Sequence, residues 1–347
     1  MSLALNTVLG GNFLRWDSRR KPFYEIYYLK LADPSGLWSF WARYTLTAPK
    51  KLKEGQASLG QANLWGIFVR RNSAENVDVT AIKKTYRLMD VDFVHSERFI
   101  DIGGGYLSLD AAKGVLQDSD HRLEWDLRFE DPSTSFCLYP SSWLYKLPFP
   151  KTKFLEPRLS TFVSGTIKKD HDEYHLEHHK ASQAHLWGTQ YARRWTWGNC
   201  NSFVEDPTAL FEGFTAQVPL VGNKWVSPPL SLFYFVFEGK TYRANGVWQW
   251  LKNKSRSSLL EWKFSATCGD TRFEGTVTRE LADIVGLEYQ GPRGEKRFCH
   301  NTMLASLKIQ VLRARPKGWV PYKKLTSKSA AFETLEPEAD PQVRFVL

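Results

Sequence analysis

The chain is poor in sulfur: 347 residues carry four cysteines and three methionines. Cys137, Cys200, Cys268 and Cys299 show no Cys-x-x-Cys spacing, which argues against a zinc ribbon and against the disulfide framework of a small secreted domain. They read as reduced, buried thiols. No run of 18 apolar residues occurs, so no membrane-spanning helix is expected. The start, MSLALNTVLGGNFLRW, has neither the basic beginning nor the long apolar stretch of a signal peptide. A cytoplasmic protein is the expectation, with peripheral membrane contact left open.

Several reaction motifs are missing too. Gly103 to Gly105 is followed by no Lys-Ser/Thr and is flanked by strand patterns, so it reads as a hairpin turn, not as a phosphate loop. No Gly-x-Ser-x-Gly elbow and no His-Glu-x-x-His pair occurs, which removes the positive case for triad hydrolysis and for a zinc peptidase. HDEYHLEHH at 171–179 is rich in potential ligands. Its alternation suits a solvated edge strand, and neither a metal nor an organic cofactor is expected. The formal net charge of +10 would suit an anionic partner. The basic residues, however, lie in small groups (19–21, 50–53, 322–324) with acids between them, and no nucleic-acid partner is expected.

Aromatic residues are abundant instead, at 14% of the chain with 14 tryptophans. They sit in alternating runs. PFYEIYYLKLADPSGLWSFWARYTLTAP reads as strand, turn, strand, with Pro34 presetting the turn and Gly36 relieving it. RFIDIGGGYLSLDAAKGVLQDSDHRLEWDLRFE, SLFYFVFEGKTYRANGVWQWL and LEWKFSATCGDTRFEGTVT repeat the cadence. Strands broken by turns every eight to twelve residues predict an all-β protein built as sandwiches or barrels. SAENVDVTAIKKTYRL is the best candidate for a short helix.

A duplication is expected. LKLADPSGLWSFWARYTLTAP at 29–49 aligns loosely with SFVEDPTALFEGFTAQVP at 202–219 through their Asp-Pro turns, and Leu-Glu-Trp recurs at 123–125 and 260–262. Prolines at 140, 148, 150 and 157 mark the stretch between the copies as a crossover, because proline cannot donate to a sheet ladder. The expected domains are 1–158 and 159–347, with segment 185–203 near the junction.

That segment, HLWGTQYARRWTWGNCNSF, is the most unusual in the chain. In a strand, Trp195, Trp197, Asn199 and Asn201 share one face, and Arg194, Thr196, Gly198 and Cys200 share the other. The first set fits a ligand-lining wall as well as it fits a core with a polar lip. Trp187 and Gly188 suit close strand packing, and His185 suits either a buried hydrogen-bonded role or acid chemistry near neutrality.

Gly165, Tyr174, His185, Trp187, Gly188, Trp195, Trp197, Cys200, Asn201 and Phe203 together resemble the central motif of the tocopherol cyclase-like and hydroxyneurosporene synthase-like proteins, and YYLKLADPSGLWSFWARYTL resembles that family's first hairpin. The resemblance implies two tandem lipocalin-like antiparallel β-barrels and action on a long prenyl chain, by cyclising or hydrating a C=C bond. Such chemistry needs a positioned acid, a dry pocket and electron-rich faces beside the cation. On this reading Trp187, Arg194, Trp195, Trp197, Asn199 and Asn201 contact the ligand. The partner is an apolar small molecule: a prenylated quinol, a carotenoid-like compound or a fatty compound. An isomerase, cyclase or hydratase is one alternative; a carrier of the same ligand, or a structural protein with filled barrels, is the other. No aspartate stands in the motif, and the nearby carboxylates are Glu205, Asp206 and Glu212. Asp206 is committed to its turn. The acid candidates are therefore His185, on resemblance, and Glu212, on chemistry, since burial among Leu210, Phe211 and Phe214 would keep its carboxyl protonated.

Overall fold

A computed structural model describes residues 12–50, 60–73, 76–91, 98–130, 134–220 and 225–347. The N-terminal residues 1–11 and the basic residues 51–53 lie outside this set. Among the described residues strands dominate, and no helix is long and apolar enough to cross a membrane.

The alternating runs become antiparallel strands: β1 (Phe23–Ala32), β2 (Trp38–Ala48), β3 (Gln61–Arg71), β4 (Val77–Arg87), β5 (Arg98–Ile102), β6 (Gly105–Ser108), β7 (Ala111–Gln117), β8 (Arg122–Phe129), β9 (Thr134–Cys137), β10 (Thr152–Lys169) and β11 (Asp172–Gly188). They form one sheet in the order β4-β3-β2-β1-β11-β10-β8-β7-β6-β5, with β9 on the side of β10. The expected turn at Asp33 to Gly36 joins β1 to β2, and Gly36 adopts φ +79°, a conformation that glycine reaches without a steric penalty.

The second sheet holds β12 (Arg194–Cys200), β13 (Leu210–Gln217), β14 (Leu230–Phe237), β15 (Lys240–Ala244), β16 (Lys254–Ser257), β17 (Glu261–Cys268), β18 (Thr271–Thr278), β19 (Val285–Gln290), β20 (Lys296–Arg315) and β21 (Gly318–Glu336). Its order is β15-β14-β13-β12-β21-β20-β18-β17-β16, with β19 on β20. This repeats the first sheet strand for strand, short of a counterpart to β5. The protein is two tandem lipocalin-like barrels, each curled from one antiparallel sheet whose end strands, among the described residues, are not hydrogen-bonded to each other. The Asp-Pro echo falls on equivalent hairpins, β1–β2 and β12–β13. The Leu-Glu-Trp echo does not: it lies at the start of β8 and of β17, which are not counterparts, and is a chance recurrence of strand residues.

Three sequence expectations change. The change of sheet lies between Gly188 and Arg194, not at 158, because β10 and β11 pair along their length and β11 returns to β1 (Tyr24 opposite Gly188, Leu31 opposite Ala181). Segment 185–203 therefore bridges the barrels. Proline did not exclude its stretch from a central strand: Pro157 sits in β10 at the bulge between Leu155 and Arg158, where a missing N–H costs little. The helix expected over 73–88 is strand β4, whose Val77, Val79 and Ala81 pack toward the core while its partner β3 supplies the ladder.

Large rings pack into both barrel interiors. In the first, a β-carbon on Gly114 would lie 2.1 Å from the Trp125 ring; in the second, one on Gly275 would lie 2.0 Å from the Phe264 ring. These glycines are the hollows into which the large rings fit. Gly114→Ala is accordingly expected to destabilise the protein by about 2 kcal/mol or more through overpacking, read as a lower urea midpoint at unchanged slope. An unchanged midpoint would mean that Trp125 has room to turn aside.

The outer faces of the β1–β2 and β12–β13 hairpins pack against each other, so one core runs through the first barrel and across the junction. Polar ties cross the same junction. Lys30 Nζ donates to the Asn199 carbonyl (3.1 Å), and Arg71 grips Asp283 with two guanidinium nitrogens (3.1 and 2.5 Å).

A sealed carboxyl pair between two barrels

Strand parity decides where each candidate side chain points. On β12, Trp195, Trp197 and Asn199 face the first barrel, opposite Ala216, Phe214 and Glu212 of β13 on the same face. On β1, Ile26, Tyr28 and Lys30 face the second barrel, and Trp41 and Arg43 join them from β2. Aromatic rings from both barrels thus meet, Tyr28 standing edge-on to Trp197 at 5.6 Å.

Glu212 is fully buried in this seam. It accepts the Trp197 indole N–H (2.6 Å) and an Asn199 amide N–H (2.9 Å). Glu156, from the bulged start of β10, is also fully buried; among the described residues no group other than the Glu212 carboxyl is placed to share a hydrogen bond with it. Burial pushes the Glu212 carboxyl up to about 8 and Glu156 well above the carboxylate range, the neighbouring carboxyl adding to Glu156's rise. Like charges in a dry site cannot both ionise, so the pair holds a proton at neutral pH. Lys30 is buried beside it, and burial lowers its ammonium to about 8.

This arrangement has a sign-definite effect on stability. A carboxyl whose folded pKa is raised favours the folded state below its unfolded value, near 4.5, and that contribution is lost as pH climbs toward 8. The opposing groups act outside the upper part of this window. His185, His179 and His300 are lowered chiefly by burial, His300 to about 4, so they weaken folding only as pH falls below about 6.5. Lys30 and Lys153, each lowered to about 8 by burial, strengthen folding chiefly above that value, and Lys83, Lys151 and Lys180, also lowered by burial, act in the same direction. Between pH 6.5 and 8 stability should therefore fall with rising pH, by on the order of 1 kcal/mol per unit. Glu212→Gln should flatten the slope in chemical denaturation; an equal slope in the variant would place the titrating group elsewhere.

Beside the pair lies an inner void of about 40 Å³, walled by Tyr28, Trp41, Trp195, Trp197, Phe214 and Glu333 among others. The Tyr28 hydroxyl and the Trp41 indole N–H are buried there without a hydrogen-bond partner among the described residues. Glu333 of β21 is held by the Trp195 indole N–H and an Asn301 amide N–H, both at 2.7 Å. A second apolar void of about 50 Å³ shares Phe154, Leu186, Trp195 and Phe214 with the first and runs on to Leu232 and Trp250. On the other side, Arg43 and Tyr289 belong both to the inner void and to an open polar vestibule of about 510 Å³. The cavity system thus lies between the barrels, and no long chain fits its inner part until the shared rings move.

The sequence candidates separate. Trp195 and Trp197 wall the inner void; Asn199 and Glu212 stand behind Trp197. Asn201 closes the junction, its amide donating to the Ala181 carbonyl (3.0 Å). Arg194 points to the opposite side of β12, half exposed, and pairs with Glu336 (3.0 Å). Trp187 and His185 lie on the interior side of β11, inside the first barrel. There His185 bonds Glu25 and Asn12, each at 2.8 Å, under the stacked Tyr27 ring, and it lines neither void. The two acid candidates thus lie on opposite sides of the first sheet and share no site. Glu156, Glu333, Arg43, Tyr28 and Tyr289 were not singled out from sequence. Their signal was a lone polar or charged group inside an apolar strand run, as in KFLEPRL and SAAFETL.

Comparison with known proteins agrees with this architecture. The family model described as tocopherol cyclase-like matches residues 21–334. Uncharacterized protein Rv0493c of Mycobacterium tuberculosis strain H37Rv is 23% identical over 201 residues, covering 58% of this chain and 59% of that protein; Uncharacterized protein MT0513 of strain CDC 1551 matches to the same extent. The match spans less than two thirds of the length of these curated relatives. The crystal structure of CghA has a TM-score of 0.52 with 8% sequence identity, covering 91% of this chain and 88% of that one, which is a likeness of fold.

Proposed function

Because the chain belongs to the tocopherol cyclase-like family, we propose that it takes a long apolar molecule into the seam between its barrels and protonates a C=C bond there, with the Glu156–Glu212 pair as the acid. The observation that carries this reading is the sealed carboxyl pair, two fully buried carboxyls directly behind the Trp197 ring that walls the inner void, whose burial favours the protonated form at neutral pH. A carboxyl kept neutral by burial is what alkene protonation requires.

The step balances without a cofactor. The pair gives its proton to one alkene carbon, and the π electrons form the new C–H bond. The tertiary cation left on the other carbon faces Trp197 and Tyr28, whose ring quadrupoles stabilise positive charge. A hydroxyl then adds, or a neighbouring C–H bond gives up its proton, and the released proton restores the carboxyl pair. Glu333, anchored by Trp195 and Asn301, supplies a fixed negative charge on the same void. His185 takes no part; it is a packing and hydrogen-bonding residue of the first barrel.

The test is incubation of the purified protein with prenylated quinols and acyclic carotenoids in D₂O, followed by mass spectrometry. The expected product carries one carbon-bound deuterium from solvent. Binding of these compounds with no conversion would favour a carrier, and failure of all of them to bind would remove the seam as a ligand site.

A further inference from the structure

The wall between the vestibule and the inner void contains a buried cation with no carboxylate in direct contact. Arg43 is 4% exposed, yet no carboxylate among the described residues pairs with it. Its guanidinium lies over the Tyr289 ring at 3.8 Å and near the Trp65 ring at 5.3 Å; it bonds the Tyr191 hydroxyl, and its Nε has no partner. Glu333 attracts it across the inner void, but both Glu333 oxygens are hydrogen-bonded by Trp195 and Asn301 and not by the guanidinium. A second cation, Lys83, stands at the vestibule with its Nζ 4.3 Å over the other part of the aromatic wall, Trp65. Of the groups lining that vestibule, the Glu288 carboxylate is paired with Lys296 at 2.7 Å, and the last residue, Leu347, lines it as well.

Burying a guanidinium without a hydrogen-bonded anion is costly, and stacking on aromatic rings offsets only part of that cost. A fold that holds Arg43 beside two rings, with a buried donor unused, at a residue that lines both the inner void and the vestibule, is prepared for an anion that arrives from outside. We propose that the ligand is an amphiphile whose anionic oxygen head group binds Arg43, with Lys83 assisting, while its apolar chain passes Tyr289 and enters the void lined by Trp41, Tyr28 and Trp197. This rests on the apolar-seam reading above and adds the head group to it. The geometry also fixes direction: the head stays on the vestibule side, and the chain runs past the carboxyl pair toward Leu232 and Trp250.

The experiment titrates the full chain with sodium dodecanoate and with 1-dodecanol, following tryptophan fluorescence. The two probes share a tail and differ in head charge. Wild type should bind dodecanoate roughly tenfold or more tightly than the alcohol, the scale of one charge-assisted contact in a partly desolvated site. Arg43→Gln should remove that preference while leaving alcohol affinity within about twofold, and Lys83→Gln should reduce it in part. Equal wild-type affinities, or a full preference retained in folded Arg43→Gln, would overturn the assignment and leave the apolar seam standing. Binding of neither probe would overturn both. Should Arg43→Gln fail to fold, the wild-type preference and the exposed-side Lys83→Gln variant still decide the question.

Discussion

Glu212→Gln should lower turnover by roughly a hundredfold to ten-thousandfold, the range that a positioned general acid contributes. The substitution is close to isosteric. The glutamine carbonyl can still accept the Trp197 indole N–H, and Asn199, whose side-chain oxygen has no partner, can turn to accept from the new amide. What disappears is the ionisable proton. Glu156 remains, but it loses the carboxyl that shares its proton, so Glu156→Gln should cost activity as well, and the double variant little more than either single one, as for residues that act as a unit. Glu333→Gln should differ: it keeps the proton source and removes the fixed charge beside the cation, so solvent deuterium still enters the product at a reduced rate. The measurement is single-turnover conversion in D₂O by each variant, with ligand binding monitored separately. Normal turnover in both Glu212→Gln and Glu156→Gln would exclude the carboxyl pair as the acid.

Local pattern carried the fold a long way. Asp33-Pro34 and Asp206-Pro207 punctuate strands whose alternation is visible, and those turns sit on equivalent hairpins of the duplicated sheet. The domain boundary was not legible because it is set by pairing between β1 and β11, whose partners Tyr24 and Gly188 are far apart in sequence, and no composition shift marks such a contact. Proline misled for a related reason: Pro157 is disfavoured in a regular ladder but tolerated at a bulge, and the bulge exists only once β10 meets both β9 and β11.

The site was half legible. The face rule placed Trp195, Trp197 and Asn199 together and put Glu212 among apolar neighbours. It could not say that this face is the outside of one barrel pressed on another, nor that Glu156 comes to meet Glu212 across the seam. His185 is the complementary case. Its place in a recognised motif drew attention to acid chemistry, whereas one residue of parity sends it to the interior side of β11, away from every ring that walls the voids. Lone charges in aromatic runs were the unused clue. Glu25 and Lys30 in FYEIYYLKLA, Glu156 and Glu333 all prove buried, and a buried charge requires a partner that the strand alone does not supply.

Glu25 gives the largest expected effect on stability. This carboxylate, fully buried in the first barrel, accepts the backbone N–H groups of Arg15 (2.7 Å) and Trp16 (2.9 Å), bonds His185 Nε2 (2.8 Å) and receives the Tyr27 hydroxyl (3.3 Å). One side chain thereby ties the segment before β1, which also places Asn12 against His185 Nδ1, to the middle of the sheet. Removing it leaves buried donors with no acceptor, a loss much larger than that of the bonds alone. Glu25→Ala should destabilise the protein by about 3–5 kcal/mol, the cost of breaking a buried pair from one side, and since whole domains are stable by only about 5–15 kcal/mol, the variant should sit near its unfolding threshold at 37 °C. Glu25→Gln keeps one acceptor and should lose less. His185→Gln should also destabilise, yet the fraction that remains folded should convert substrate at the wild-type rate per molecule, because His185 touches neither void. Urea denaturation gives the first set of values and single-turnover conversion, normalised to folded protein, gives the last. A Glu25→Ala loss under about 1 kcal/mol would mean that water enters to satisfy the orphaned donors; a hundredfold loss of conversion in folded His185→Gln would return that residue to the acid chemistry from which its position removes it.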